Sequence, residues 1–303
     1  MARVIAVVFI AACAPPAPAR RPVAPTQATT TIEIDRDACR RQSTIARTER
    51  SVAQIEQLVR LWIALRDKLP ASEAKACHDD AAELSSERAR TLHAQANGDP
   101  AQLADAERLY ELHLSAFPDA DDVSAIQYYE AELLWTRAER ERRPSEQAVL
   151  WERAARAFTA VNANGKLDAK LKLESAYSAV LSWNKAISLD PPLDVPAGDS
   201  KPRPRPIPDR ERQLLGALAA YAGLLRDPND DERVSLQFLA ATIYRRYDHL
   251  DEVIPYLQDI VAHHADHEDA PLAAKLLLEA YRRTGRVDDA RTLERGIIRG
   301  ERG

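Results

Sequence analysis

The stretch LAATIYRRYDHLDEVIPY (residues 239–256) returns in outline as LLLEAYRRTGRVDDARTL (residues 276–293). Ala240, Tyr244, Leu250, Glu252, Val253 and Tyr256 fall on Leu277, Tyr281, Val287, Asp289, Ala290 and Leu293 at one constant offset of 37 residues. Each copy has the apolar spacing of two helices joined by a short turn. A helical pair of that size cannot bury its apolar face alone and must stack on its neighbours. A fixed period of this length therefore predicts an α-solenoid.

The spacings resemble the tetratricopeptide repeat. In that family large and small residues of the first helix pack against an alanine and an aromatic residue of the second. Ala106, Tyr110, His113 and Pro118 hold the intervals of the second helix, closed by Phe117-Pro118-Asp119; Ala154, Phe158 and Val161 repeat them, and Ala176, Tyr177 and Val180 open the next pair. Gln237 and Ala241 stand where the family has tryptophan and glycine, and Arg140 to Ser145 lengthens one turn, so the array is irregular. The resemblance implies an all-α superhelix whose concave face, built from the first helices, takes extended or helical segments of other proteins. On this alignment Phe238, Thr242 and Arg245 of one pair, and Lys275, Glu279 and Arg282 of the next, face that groove. Arg246 and Arg283 follow directly. Arginines at equivalent positions suit a partner's carboxylates; an ordinary solvated face is the alternative.

Composition extends the helical reading to the rest of the chain. Glycine is sparse, at 9 residues, and strong helix formers dominate, so the whole chain is expected to be all-α. A net charge of −5 leaves no basic footprint for nucleic acid. The chain shows no nucleophile elbow, phosphate-cradling loop or dinucleotide fingerprint, and neither a catalytic role nor a cofactor is expected. No paired Cys/His spacing suggests zinc. His263, His264 and His267 beside Asp266, Glu268 and Asp269 read as a polar turn rather than a metal site, and Glu130 and Glu132 read as solvated or salt-bridged.

The N-terminus speaks to location. An apolar run from Val4 to Ala12 ends at Ile10-Ala11-Ala12-Cys13. It is far shorter than the roughly 20 residues of a membrane span. The ending resembles the lipobox of bacterial lipoproteins, which implies that residues 1–12 are a signal peptide and that Cys13 is acylated. Ala14 in place of aspartate implies sorting to the outer membrane, facing the periplasm, with acyl chains as the membrane contact. Two readings compete: cleavage after Ala17-Pro18-Ala19, which leaves a soluble periplasmic protein, and a chance apolar start to a cytoplasmic protein. Residues 13–34, with Pro15, Pro16, Pro18, Pro22 and Pro25, cannot bury a core and form a tether. A second proline cluster over 191–208, interleaved with Lys201, Arg203 and Arg205, marks a linker between repeat blocks at 99–190 and 209–303.

Between tether and repeats, residues 35–98 read as an N-terminal helical hairpin. Ile45, Val52, Ile55, Val59, Trp62 and Leu69 form a stripe near heptad spacing, with Thr48 filling the remaining seam position. The stripe fits a helix packing on its own chain or a coiled coil with a second copy through residues 45–69. Cys39 and Cys77 are candidates for a disulfide in an oxidising compartment. If 37–68 were one helix the two would lie tens of ångströms apart, so a bridge requires the residues before about Arg47 to fold back. The architecture is similar to outer-membrane lipoproteins that serve envelope assembly. The expected function is a lipid-anchored scaffold binding other envelope proteins, with a binding subunit of cell-wall enzymes or a self-associating structural protein as alternatives.

Overall fold

The computed structural model describes residues 37–163, 167–191, 203–227 and 230–299. Among these residues the chain forms twelve helices and no strand: α1 (Ala38–Glu49), α2 (Val52–Leu65), α3 (Ala71–Gln95), α4 (Pro100–Ala116), α5 (Val123–Arg140), α6 (Pro144–Ala163), α7 (Ala169–Ser188), α8 (Asp209–Leu224), α9 (Asp231–Arg246), α10 (Leu250–His263), α11 (Ala270–Arg283) and α12 (Val287–Ile298). Each helix packs on the one before and the one after it, so the all-α repeat architecture is the one expected. Aspartates start several helices by accepting backbone N–H groups that have no partner inside the helix. Asp99 takes Ala101 N at 2.9 Å, ahead of Pro100. Asp168 takes the N–H groups of Lys170 and Leu171, and Asp230 that of Glu232.

The 37-residue period is visible in backbone geometry as well as in packing. Asp248 after α9 and Gly285 after α11 are equivalent positions, and both have positive φ, +61° and +76°. In both turns a backbone N–H reaches back five residues, His249 to Tyr244 O at 3.0 Å and Arg286 to Tyr281 O at 2.8 Å. Both arrangements satisfy a carbonyl left open at the end of a helix. The second arginine of each Arg-Arg pair then reaches 35 residues back to the preceding pair: Arg246 to Glu211 at 2.6 Å and Arg283 to Asp248 at 2.5 Å. One difference separates the copies. Leu250 is buried in the core shared with α11, whereas its counterpart Val287 is 52% exposed on the last described helix.

The N-terminal segment corrects the hairpin expected over 35–98. A break at Arg50 (φ +49°) and Ser51 splits it, giving three helices, α1 to α3. Ser51 accepts the N–H of Gln54 and starts α2. Folded back, α1 lies along α3. Cys39 is bonded to Cys77, Ser43 donates to Asp80, Arg47 pairs with Asp80 and Glu83 at 2.6 and 2.7 Å, and Arg50 faces Glu87 at 3.7 Å. Both partners' numbers rise together, so α1 and α3 run parallel, at separations of 36 to 38 residues for most of these pairs. The register matches the C-terminal repeat, which makes α1–α2 the first of six stacked pairs among the described residues. Of the stripe, Ile55 and Val59 are buried in the core of α1–α5, Val52, Trp62 and Leu69 pack against it, and Ile45 is 39% exposed.

The proline-rich stretch does not divide the core. One apolar cluster runs from Ala131 and Phe158 through Trp183 of α7 and Leu214, Leu218 and Tyr221 of α8 to Ile243 and Tyr247. Residues 192–202 lie outside the described set. The end of the stretch is pinned by Arg205, whose N–H donates to Tyr247 O at 2.9 Å and whose guanidinium donates to Arg246 O and lies 5.7 Å from the Tyr247 ring. Arg205 O shares a 2.8 Å hydrogen bond with His249 Nε2.

Candidate functional site

Cys13 and the tether lie outside the described residues. The six groove residues are described. Phe238, Thr242 and Arg245 on α9 recur at the 37-residue offset as Lys275, Glu279 and Arg282 on α11. None of the six is fully buried, whereas the neighbouring Ala240, Ala241 and Ile243, with Leu277 and Ala280, go into the core. The helical period therefore separates one partly exposed stripe from the packed one on both helices.

Three of the four charges on this stripe are matched inside the chain, those of Arg245, Glu279 and Arg282. Arg245 Nη2 donates to Glu279 Oε2 at 3.1 Å and joins α9 to α11. Arg282 donates to Glu294 of α12 at 2.5 Å. Thr242 Oγ1 donates to Leu239 O at 2.7 Å, and Phe238 packs against the C-terminal core. Lys275 is exposed. The surface is thus of mixed charge, with Arg246 and Arg283 used as joints between successive pairs. The spacing of arginines in one helix did not reveal these joints, because each partner sits in a different repeat.

The histidine-rich turn disperses its side chains. His263 Nδ1 lies 3.0 Å from Asp259 Oδ1, while His267 Nε2 lies 3.0 Å from Asp231 O and its Nδ1 accepts Asp269 N at 3.1 Å. His267 ties the α10–α11 turn to the start of α9. A further arrangement, missed in the sequence, has the composition of a hydrolase triad: Ser85 Oγ lies 2.9 Å from His113 Nδ1, and His113 Nε2 lies 3.3 Å from Asp122. Ser85 and His113 are both completely buried, and the Ser85 hydroxyl also donates to Ala81 O at 2.7 Å. Burial lowers the His113 pKa and outweighs the opposing effect of Asp122. This is a polar tie between α3 and α4, held among apolar neighbours.

Glu130 and Glu132, expected to be solvated or salt-bridged, are half-buried and make no ion pair among the described residues. Burial first, and then Glu111, push the Glu130 carboxyl up to about 7 against the pull of Arg153. Burial also raises Glu132; its hydrogen bond from Tyr128 opposes the rise and Glu174 adds to it. A carboxyl whose pKa is higher folded than unfolded disfavours the fold once it ionises. The penalty grows from the unfolded pKa upward and is complete above the folded one. Glu130→Gln should therefore raise stability by about 1–2 kcal/mol at about pH 8, and the gain should shrink towards about pH 5. Thermal denaturation at the two pH values checks it; an equal effect at both would show that charge is not the cause.

No family model matches the chain, and no curated protein matches it.

Proposed function

We propose that the chain is a lipid-anchored scaffold of the bacterial outer membrane. It faces the periplasm and holds segments of other envelope proteins on the face of α9 and α11. The observation that carries this reading is the partly exposed stripe Phe238–Thr242–Arg245, repeated in register as Lys275–Glu279–Arg282. Stacked helical pairs present such stripes side by side as an extended surface, the kind solenoids use to bind other chains. The Cys39–Cys77 disulfide supports export, since such bonds persist in oxidising compartments. The lipobox-like Ile10-Ala11-Ala12-Cys13 supports anchoring. Several acyl chains hold a protein firmly where a single one does not.

Crosslinking from intact envelopes tests both parts. Lys275→Glu with Arg282→Glu reverses two exposed charges and leaves the Arg245–Glu279 joint in place. The double variant should fold normally and lose the proteins captured by the parent chain. Capture of the same proteins would remove this face from consideration. Cys13→Ser should shift the protein from the membrane fraction to the soluble one, and unchanged fractionation would end the lipid-anchor reading.

A further inference from the structure

The turn between α5 and α6 has three residues, as do those between α9 and α10 and between α11 and α12, so the lengthening expected over Arg140 to Ser145 does not occur. This turn borders a cavity of about 370 Å³, within the size range of small-ligand sites. Arg137, Arg140, Arg142 and Arg143 line it, with Leu103 and Leu150 among its apolar walls.

Two of the four guanidinium groups are matched. Arg137 pairs with the buried carboxylate of Glu107, and Arg143 pairs with Glu141 at 3.1 Å and Glu146 at 3.2 Å. Glu141 is a structural anion of the turn: it accepts the N–H groups of Arg142 and Arg143 at 2.9 and 3.0 Å. The Arg143 side chain, followed by those backbone groups, holds its carboxyl at about 2. The N–H groups of Arg142 and Arg143, just ahead of α6, are therefore occupied.

Arg140 and Arg142 make no ion pair among the described residues. The Arg140 guanidinium is held at the rim by one 3.2 Å hydrogen bond to Asn97 O. It lies across Gly98 (φ +85°) so closely that an added Cβ would sit 1.0 Å from Nη1. The positive φ favours glycine at this position. One cation is thus placed at the rim by its hydrogen bond to Asn97 O, and the second is carried on the exposed turn beside it. Two uncompensated guanidiniums above an apolar floor complement a group with two negative charges and several acceptor oxygens.

We propose that this cavity binds a phosphomonoester dianion carried on a small apolar body. The phosphate seats between Arg140 and Arg142, and the body lies against Leu103 and Leu150. Such a group is found on soluble phosphate esters and on lipid headgroups, and the test separates the two sources. Calorimetric titration of the purified full chain with inorganic phosphate, at constant ionic strength, should show binding that weakens at least tenfold in Arg140→Gln with Arg142→Gln. Neither side chain has an ion pair to lose, so the double variant should melt at the parent temperature, and Arg142→Lys should retain part of the affinity. A parallel arm compares parent and double variant, with identical N-termini, on phosphatidylcholine vesicles with and without phosphatidate. Phosphatidate-dependent binding lost in the variant assigns a headgroup. Phosphate binding without vesicle binding assigns a soluble ester. If neither probe binds, or if the variant binds both as the parent does, the proposal is overturned.

Discussion

Replacing Cys39 and Cys77 together with alanine is expected to release α1 from the array before anything else unfolds. The bridge closes a loop of 38 residues, and removing a constraint of that length costs about 3–4 kcal/mol in the chain-entropy description. The loss should be concentrated in α1. That helix buries only Cys39 and Ala46 among its apolar residues, together with Gln42 and Ser43. Without the bridge its polar ties are Ser43 and Arg47 on Asp80 and Glu83, Arg50 near Glu87, and Gln42 on Gln54 of α2. Those Arg47 contacts are largely solvent-exposed pairs, of a kind worth little. Amide exchange over residues 38–49 should accelerate by about two to three orders of magnitude, the equivalent of that free energy, while α9–α12 keep their protection. Unchanged exchange in α1 would mean that helix packing alone seats it.

This expectation also shows where the sequence was readable. The 37-residue period came mainly from apolar residues, with Glu252 and Asp289 beside them, and it predicts both the sequential packing and the equivalence of the two turns at Asp248 and Gly285. Gly285 suits its positive φ. Asp248 does not announce itself, because its side chain serves a second purpose in pairing with Arg283. The break before α2 was half legible. Ser51-Val52-Ala53-Gln54 has the spacing of a capping box, but the heptad-like stripe runs across it. A periodic pattern does not register a change of direction when the apolar positions on both sides face one core. Arg50 in the left-handed region carries no signal in its side chain. The groove stripe was legible as a surface, since its members are set by the same period as the core. The joints made by Arg246 and Arg283 were not. Arg246–Glu211 and Arg283–Asp248 depend on the three-dimensional register between pairs, and the first of them follows a stretch of chain outside the repeat.

Trp183→Ala is expected to cost about 3–5 kcal/mol and to divide the unfolding of the array. Trp183 is 1% exposed, sits in the cluster that joins α5–α7 to α8–α10, and has the Arg156 guanidinium 5.5 Å from its ring. Removing the indole leaves a cavity that α7 cannot fill from its own small neighbours, Ala176, Ala179 and Ala186. In a linear array each pair is stabilised by its neighbours, so a defect at one joint lowers the coupling across it and leaves distant joints intact. Thermal melts followed by circular dichroism should therefore change from one transition to two, with exchange protection falling over α7 and α8 before α10–α12. Tyr110→Ala, a cut of similar size in the separate core of α1–α5, should leave protection in α10–α12 as it was. A single transition that moves as a whole in both variants would mean that the chain folds as one cooperative body, and the nearest-neighbour account of its stability would fail. If the division is seen, partner capture by the Trp183 variant becomes informative in its own right. A groove made by α9 and α11 alone should keep its ligand after the N-terminal pairs have lost register, whereas a surface needing all six pairs should not.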